Sequence, residues 1–593
     1  MLKKFFVAML GSMAGFWLSI LIFAVGSFFV AGVLIGKTLI SSGSDTSVKG
    51  DKILRVNLSG QINEREGGSS MSAFMSYMDD PSDDLSSILK AVRSAASDKQ
   101  VKGIFIDCGG STLGVSSRSE VIEALKVFKE SGKFIYAYAD NYEQGDYYVS
   151  SVADSIFLNP VGMVNVHGLS ATTVFYKDVL DKLGIGVNVV RVGAFKSAVE
   201  PFMRMSMSDE SRLQTSVFVN SIWADISGEI ASNRHLQSPH VVDVWADSIM
   251  TFSFSPEQCV ACGAVSSLKY RSEVEDLLRK KLKVDIEDDV PFVSVNDYNL
   301  AGAIKAISPE KNHIAVLYAV GDIVESGDEG IVGEKMVPEI RRLANDEHVK
   351  GLILRVNSGG GSAFASEQIW KALEDFKASG KPFYVSMGDY AASGGYYISC
   401  GADKIFADAS TLTGSIGIFG ILPNAQKLIK DKIGFGIENV STNKNANFPS
   451  LTEAPTAEQI AAMQSYVNRG YDTFTSRVAA GRDMSVDSVK IIGGGRVWDG
   501  TSALQIGLVD EIGGLYACIS DLAEAIDLKE TDVIAYPTIE LNMLQTLLKE
   551  YKGKLTVDLD AIDLEQAKSY LDGVSKIRNM SVLQARMEQI ELR

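Results

Sequence analysis

The sequence predicts an α/β protein with two consecutive units, each built on a mostly parallel sheet, after one N-terminal transmembrane helix. Three observations predict it: a long uncharged amino-terminal segment, an internal repeat, and an alternation of short apolar runs with amphipathic stretches inside each repeat. A chain of 593 residues with 46% hydrophobic content can form several cores. Its net charge of −17, with no basic stripe, argues against a nucleic-acid partner.

The amino-terminal segment carries the signal for membrane insertion. No charged residue occurs from Phe5 to Gly36, a run longer than the roughly 20 residues that span a bilayer. Lys3 and Lys4 precede it, so the positive-inside tendency keeps the amino terminus cytoplasmic and places the rest of the chain on the other side. Because no convincing small-x-small cleavage site follows, we expect an uncleaved single-pass anchor; a cleaved secretion signal is the alternative.

The internal repeat divides the remaining chain. The segment that begins "VKGIFIDCGG" at Val101 matches the one that begins "VKGLILRVNSGG" at Val349, and both continue into similar helical stretches that stop at Ser-Gly-Lys. The acidic, loop-like segment Asp285–Pro309 lies between the two copies. The predicted divisions are an anchor (1–44), a first unit (45–300), a second unit (301–540) and a tail (541–593).

Within the second unit the pattern predicts strand, tight glycine turn, helix and strand. Gly351–Val356 is a short apolar run typical of a buried strand. Ala363–Lys377 has helical periodicity and stops before Gly380, and Pro382–Met387 begins the next strand. In such sheets the working surface lies at the carboxyl ends of the strands.

Ser393 follows the second of these strands and is surrounded by small residues, in "DYAASGGYYIS". A serine at the start of a helix has free backbone N–H groups beside it that can hold a developing oxyanion. Glycines at 359–361 allow a second N–H group to approach the same oxygen. The alternative is that these glycine-rich turns simply close βα units.

A serine hydroxyl needs a base to become a strong nucleophile. None of the histidines lies in a comparable strand-end turn of the half that contains Ser393; they are His167, His235, His240, His313 and His348. Aligning the two copies sets Ser393 opposite Gln144 and Lys196 opposite Ala446, so each half keeps one member of a Ser/Lys pair. This complementary loss predicts an active site between the copies, with Lys196 kept neutral by a desolvated pocket. The alternative for Lys196 is a surface side chain whose stem lies on apolar residues.

Several motifs together resemble one known family, the long, duplicated and membrane-anchored form of signal peptide peptidase A. The resemblance runs from the anchor to about residue 540, and its motifs are "GAFKSAVEPF" at 193, "VNSGGGSA" at 356, "DYAASGGYYIS" at 389, "TLTGSIGIFG" at 411 and "GGRVWDGTSALQIGLVDEIGG" at 494. It implies a tandem pair of crotonase-like (Clp protease-like) domains and a Ser/Lys serine protease. The steps of such a reaction require no cofactor or metal, and the sequence contains no Walker-type loop. The roles that it implies are Ser393 as nucleophile, Lys196 as general base, Ser415 as the residue that orients the lysine, and Gly360, Gly361 and Gly394 as backbone oxyanion donors.

The resemblance further implies signal peptides and other peptides as substrates, a homotetramer, and a bacterial inner membrane location with the catalytic domains on the periplasmic side. One departure concerns the oxyanion turn, because the family usually has a proline where this chain has Gly359. The free φ angle of glycine loosens the turn, so the identity of its donor stays open.

Two functions other than a serine protease are compatible with parts of the sequence. A crotonase-like acyl-CoA enzyme would share the fold and the glycine turn but would use catalytic carboxylates, and a catalytically inactive membrane scaffold would need neither Ser393 nor Lys196.

Cys259 and Cys262 have the spacing of a redox or zinc half-site, but without a second such pair we interpret them as buried structural residues. The tail begins with an amphipathic stretch, Leu541–Tyr551, and indicates no function.

Overall fold

The computed structural model describes residues 50–65, 83–303, 308–538, 584–587 and 591–592. The predicted anchor and the amphipathic stretch of the tail lie outside these residues. No helix in the described part of the chain is long and apolar enough to cross a membrane. The described residues from Asp51 onward gather into one compact unit.

The first half alternates strands and helices. Its strands are β1 (Lys52–Gly60), β2 (Val101–Ser111), β3 (Phe134–Ala139), β4 (Ser155–Leu158), β5 (Ala171–Thr172), β6 (Gly186–Arg191), β7 (Ser267–Leu268) and β8 (Phe292–Ser294). Its helices are α1 (Leu85–Ser97), α2 (Val115–Glu130), α3 (Gln144–Ser150), α4 (Lys177–Leu183), α5 (Glu200–Met203), α6 (Asp209–Asn233), α7 (His240–Asp247), α8 (Met250–Ser253), α9 (Pro256–Ala261), α10 (Arg271–Leu282) and α11 (Val295–Ala303), with a 3₁₀ turn at Ser197–Val199.

The second half repeats this alternation. Its strands are β9 (His313–Val320), β10 (Ile323–Val324), β11 (Ile331–Val332), β12 (Val349–Ser358), β13 (Gly360–Ser362), β14 (Phe383–Ala392), β15 (Lys404–Ala407), β16 (Leu412–Gly414), β17 (Phe419–Asn424), β18 (Val497–Trp498), β19 (Glu511–Ile512), β20 (Val533–Tyr536), β21 (Gln584–Arg586) and β22 (Glu591–Leu592). Its helices are α12 (Gly333–Asn345), α13 (Ala363–Ala378), α14 (Gly394–Ser399), α15 (Ala457–Gly481), α16 (Val486–Ile492), α17 (Gly500–Gln505) and α18 (Leu515–Ala525), with a π-helical segment at Leu428–Ile433.

Each half contributes one large sheet of the same design. The first has the order β7-β4-β3-β2-β1-β8, and the second has the order β18-β16-β14-β12-β9-β20 with β15 beside β14. Neighbouring strands are parallel in the first sheet, and in the second only β16 and β18 run antiparallel. The α/β fold class is confirmed.

The strand–helix–strand prediction in the second half is confirmed in detail. The predicted run Gly351–Val356 lies inside β12, most of whose residues are buried, as expected for a parallel strand covered on both faces. Helix α13 begins after Ser362, whose hydroxyl accepts a hydrogen bond from the N–H of Ala365 at 3.2 Å. It ends just before Gly380, whose φ of +84° only glycine adopts easily. Strand β14 runs on past the predicted end to Ala392, directly before Ser393.

A third sheet joins the two halves, and the sequence did not predict it. Its order is β11-β10-β13-β21-β17-β6. The antiparallel pair of β6 and β17 runs from Arg191 opposite Phe419 to Gly186 opposite Asn424. A strand of the first half is therefore a member of a sheet whose other strands come from the second half and from the tail.

A buried ion cluster also links the halves. The guanidinium of Arg355 on β12 is fully buried and donates to Glu64 at 2.6 Å and to Glu120 on α2. The other carboxylate oxygen of Glu120 accepts from the N–H of Leu515 at 2.9 Å. One cation of the second half thus compensates two carboxylates of the first.

We expect Arg355→Met to lower the free energy of unfolding by about 3–5 kcal/mol, because both carboxylates then stay buried without a cation. Denaturant unfolding followed by fluorescence measures it. Lys371→Ala, which removes an exposed ion pair with Asp375, is the control and is expected to cost less than about 1 kcal/mol. Equal effects of the two substitutions would contradict the structural role of the buried cluster.

Candidate active site

Ser393 lies at the sharp turn between β14 and α14. Its backbone has φ of +56° and ψ of −110°, a conformation that non-glycine residues rarely adopt and that costs energy. Hydrogen bonds on both sides hold it there: its N–H donates to the carbonyl of Gly414 at 2.8 Å, and its carbonyl accepts from the N–H of Tyr397 at 2.8 Å. These hydrogen bonds fix the backbone from which the Ser393 hydroxyl projects.

Lys196 reaches the same place from the first half. After β6 ends, the pairing with the second half continues, because the N–H of Val192 donates to the carbonyl of Ile418 at 3.0 Å. Next the N–H of Phe195 donates to the carbonyl of Gly494 at 3.0 Å. The antiparallel pairing of β6 with β17 and its continuation therefore place Lys196 at the carboxyl end of β14.

The two predicted residues are in direct contact. The Lys196 amine lies 2.7 Å from the Ser393 hydroxyl oxygen, although the residues are 197 positions apart in the sequence. The amine also lies 3.0 Å from the Ser415 hydroxyl oxygen and 2.9 Å from the Ser415 carbonyl oxygen. All three side chains are buried.

Ser415 also has a constrained backbone, with φ of +50°. Its N–H donates to the carbonyl of Arg496 at 2.7 Å, and its hydroxyl faces the carbonyl of Gly495 at 3.4 Å. When that hydroxyl donates to Gly495, its lone pairs accept from Lys196. A neutral amine has two N–H donors and one lone pair, so donation of both to Ser415 leaves the lone pair facing the Ser393 hydroxyl.

Burial is the main feature of the surroundings of the Lys196 amine. The Lys196 side chain is only 1% exposed, and removal from water disfavours the charged form of an amine. The oxygens that it contacts on Ser393 and Ser415 carry no formal charge. An amine in these surroundings can act as a base.

The glycines that the resemblance assigns to the oxyanion hole come from two adjoining turns. A Cβ atom on Gly360, where φ is +102°, would lie 2.7 Å from the backbone nitrogen of Gly394. The N–H of Gly360 donates to the Ser358 hydroxyl at 3.1 Å, and Gly361 belongs to β13 with φ of +158°. The structure brings the three glycines together, and the choice of donors among them stays a prediction.

The counterpart of Ser393 in the first half is occupied differently. Gln144 begins α3, and its side-chain oxygen accepts from the N–H groups of His167 and Gly168 at 2.8 and 2.9 Å. Its amide nitrogen donates to the carbonyl of Gly168 at 2.9 Å. The strand, turn and helix are kept in this half, but an amide bonded to the backbone stands where the second half has the Ser393 hydroxyl. Ala446, opposite Lys196 in the alignment, is exposed in a loop.

Sequence reasoning missed two residues that position Lys196. The Gln214 side chain donates to the Ser197 hydroxyl at 2.8 Å and accepts from the N–H of Val497 at 3.1 Å, so it ties the lysine segment to β18. Gly495 lies directly against the lysine, since a Cβ atom there would be 2.6 Å from the Cβ of Lys196. The sequence motif that begins at Gly494 contains Gly495 and could have indicated its importance. Gln214 is a single glutamine in α6, and no sequence pattern marks it.

In the described ranges, no three His, Cys, Asp or Glu side chains lie close enough together to bind a metal ion. Cys259 is buried in α9, and Cys262 just after it is partly exposed; both are free thiols. Burial raises the pKa of the Cys259 thiol to about 11, which leaves it protonated and unreactive near neutral pH.

Comparison with known proteins identifies the class. The sequence profile of peptidase family S49 matches residues 127–285 and 375–529. The chain is 35% identical to Protease 4 of Salmonella typhi over 90% of this chain and 89% of that protein, and 34% identical to Protease 4 of Haemophilus influenzae over 78% of each. An Enterococcus faecium protein named signal peptide peptidase SppA is 34% identical over 38% of this chain and 66% of its own length.

The fold and these relatives define the protein as a serine protease. In particular, the chain belongs to peptidase family S49. The resemblance to signal peptide peptidase A that the motifs indicated is confirmed at the level of the family.

We expect Gly495→Ala to lower kcat for peptide hydrolysis about 10–100-fold, because the new methyl group must displace the backbone of Lys196 and misplace the amine. Steady-state kinetics measure it, with little change expected in KM. Gly436→Ala is the matched control, since a Cβ atom at Gly436 meets nothing within 4 Å. Wild-type kcat in the Gly495 variant would show that the close contact does not position the lysine.

Proposed function

We propose that the chain is a membrane-anchored endopeptidase that cleaves signal peptides through a Ser393/Lys196 dyad. The observation that carries the proposal is the 2.7 Å contact between a buried amine of the first half and a buried hydroxyl of the second. The tandem arrangement of two Clp protease-like copies, divided near residue 300, is part of the proposal. Its support is the shared strand order of the two large sheets.

In the proposed mechanism, neutral Lys196 takes the proton of the Ser393 hydroxyl while the oxygen attacks a peptide carbonyl. Ser415 holds the amine by its hydroxyl and carbonyl oxygens, so the lone pair points to Ser393 before the proton transfer and the new N–H bond points there afterwards. The resulting ammonium gives its proton to the leaving amine. Water then repeats the cycle on the acyl-enzyme, and the serine and the neutral lysine are restored.

Backbone N–H groups of the 360–361 turn and of Gly394 hold the oxyanion in this proposal. The turn joins β12 to β13, and Gly394 begins α14, where the first N–H groups of a helix have no partner within it. Such preorganised donors in a dry site contribute roughly 3–4 kcal/mol each to the transition state. The absence of side chains on these glycines leaves room for the peptide.

The substrate assignment rests on the relatives and on the amino terminus. One relative is named a signal peptide peptidase, and the uncharged segment from Phe5 to Gly36 is suited to hold the catalytic halves next to a bilayer. We place those halves on the periplasmic side of a bacterial inner membrane and infer a homotetramer, both from the family resemblance. An acyl-CoA enzyme or an inactive scaffold is disfavoured, because the chain belongs to a peptidase family and Ser393 contacts a lysine.

We expect Ser393→Ala and Lys196→Ala each to lower kcat for a peptide substrate by about 10³-fold or more, because each removes one member of a pair that acts as a unit. Lys196→Ala should also lose labelling by a fluorophosphonate probe. Peptide hydrolysis and gel fluorescence measure these effects.

Matched controls are available for both substitutions. Ser399→Ala removes a buried serine hydroxyl at the end of α14, and Lys52→Met removes the other lysine that is buried among the described residues. Both are expected to keep activity. Normal probe labelling of the Lys196→Ala variant would remove the lysine from the mechanism.

For the substrate, we expect the purified protein in lipid vesicles to cut a synthetic signal peptide within its apolar core, because an anchored site meets peptides that lie in the bilayer. Mass spectrometry of the fragments locates the cuts, and the Ser393→Ala variant is the control. Cleavage of a soluble polar peptide in preference to the signal peptide would contradict this substrate class.

A further inference from the structure

The main chain bends in a tight turn of three residues at Lys196. The N–H of Ser197 donates to the carbonyl of Phe195 at 2.8 Å, and Lys196 between them has φ of −74° and ψ of 77°. These angles are those of an inverse γ-turn, in which the carbonyl of the central residue takes no part in the hydrogen bond of the turn. The direction in which the Lys196 side chain leaves the backbone therefore depends on what holds this turn.

Arg191, the last residue of β6, holds the carbonyl of that turn. Its guanidinium nitrogen Nη1 donates to the Lys196 carbonyl oxygen at 3.0 Å. Backbone contacts with the second half fix the arginine in turn. Arg191 lies opposite Phe419 in the ladder of β6 and β17, and the Gln464 side chain donates to the Arg191 carbonyl at 3.2 Å. The guanidinium thus connects the lysine turn to the end of a paired strand.

Glu200 pairs with the same guanidinium nitrogen. Its Oε1 atom lies 3.8 Å from Nη1 of Arg191, and its side chain is only 2% exposed. The Oε2 atom accepts from the N–H of Ser208 at 3.0 Å, directly before α6, whereas Oε1 has no hydrogen bond within the described part of the chain. A carboxylate removed from water lowers the stability of a fold unless a cation compensates it. The buried charge of Glu200 therefore favours keeping the guanidinium at this place.

The second copy of the repeat links these two charges to the lysine. In the alignment that pairs Lys196 with an alanine, Ser441 stands opposite Arg191 and Ser450 stands opposite Glu200. The copy without the lysine thus also lacks both charges, as expected if the pair serves the lysine.

We propose that Arg191 and Glu200 are positioning residues for the Lys196 amine. Glu200 holds the guanidinium, the guanidinium holds the Lys196 carbonyl, and the turn fixed in this way directs the amine to the Ser393 hydroxyl oxygen 2.7 Å away. The proposal rests on the proposed peptidase function and adds two residues that act through the backbone of the base. Because a misplacement of about 1 Å costs about 100-fold in rate, this support is expected to act on kcat.

The first test replaces the arginine. Arg191→Met is expected to lower kcat for a fluorogenic peptide about 10–100-fold and to change KM less than about twofold, because the turn loses its donor while the peptide site keeps its residues. The rate of fluorophosphonate labelling at Ser393 should fall by the same factor. Arg191→Lys should keep kcat within about threefold of the wild type, since both contacts use one nitrogen, which an ammonium group can replace. Wild-type kcat in Arg191→Met, or a loss confined to KM, would overturn the proposal.

Arg279→Met is the matched control. Arg279 on α10 also donates to a backbone carbonyl, that of Asp288 at 2.8 Å, and pairs with a carboxylate, that of Asp276 at 2.8 Å. Its side chain is 17% exposed, compared with 27% for Arg191. Its removal is expected to leave kcat unchanged. An equal loss of kcat in both variants would show a general effect of losing a partly buried arginine and would contradict the positioning role.

The second test separates positioning from stability. Arg191→Met leaves Glu200 buried without its cation, so the midpoint of thermal unfolding is expected to fall. The double substitution Arg191→Met with Glu200→Gln removes both charges and keeps an acceptor for the N–H of Ser208, so the midpoint should return toward that of the wild type. Its kcat should stay as low as in Arg191→Met, because the Lys196 carbonyl still lacks this donor. Recovery of kcat together with the midpoint would show that the pair serves stability alone.

Glu200→Gln by itself tests the carboxylate. It is expected to lower kcat about three- to tenfold with KM unchanged, because the guanidinium is no longer held by a charge, and to add nothing to the effect of Arg191→Met. Additive losses would remove Glu200 from the proposal.

A comparison with Ser393→Ala distinguishes the possible failures. If the wild type cleaves the peptide and Ser393→Ala does not, while Arg191→Met keeps the wild-type kcat, the peptidase function stands and the positioning role falls. If the wild type neither cleaves the peptide nor reacts with the probe, both fall.

Discussion

The hydrogen bond between the Lys196 amine and the Ser393 hydroxyl is the contact on which the rest of the structure depends. Because its two members come from different halves, every element between them has to fix their separation to a fraction of an ångström. The ladder of β6 and β17 does this for the lysine, and the strained turn after β14 does it for the serine. A slip of one residue in that ladder would turn every side chain of β6 to the opposite face.

Burial makes this contact useful and also makes it costly. A buried amine or guanidinium group lowers the stability of the fold unless neighbouring groups form hydrogen bonds or ion pairs with it. Arg355 and Lys196 have different neighbours. Arg355 lies between the carboxylates of Glu64 and Glu120, whereas Lys196 contacts the oxygens of Ser393 and Ser415. The first arrangement joins the halves, and the second places an amine beside a serine hydroxyl.

The sequence predicted the local elements and the contact between Ser393 and Lys196, because both leave signals in the sequence. β12, α13 and β14 follow from apolar periodicity and glycine stops, and the complementary loss in the repeat pointed to Ser393 and Lys196. The third sheet was not predicted, since pairing between distant strands leaves no local pattern. Gln214 was missed for the same reason, and β21, which is only three residues long, carries no periodicity that marks it as a strand.

The locked amide at Gln144 divides the labour between the halves. Backbone groups occupy both its oxygen and its nitrogen, so the first half has an amide and no hydroxyl at this position, and the serine beside Lys196 comes from the second half. A separated first half would hold the lysine without the serine, and a separated second half would hold the serine without the lysine. Any chemistry that needs both groups therefore requires the two halves together.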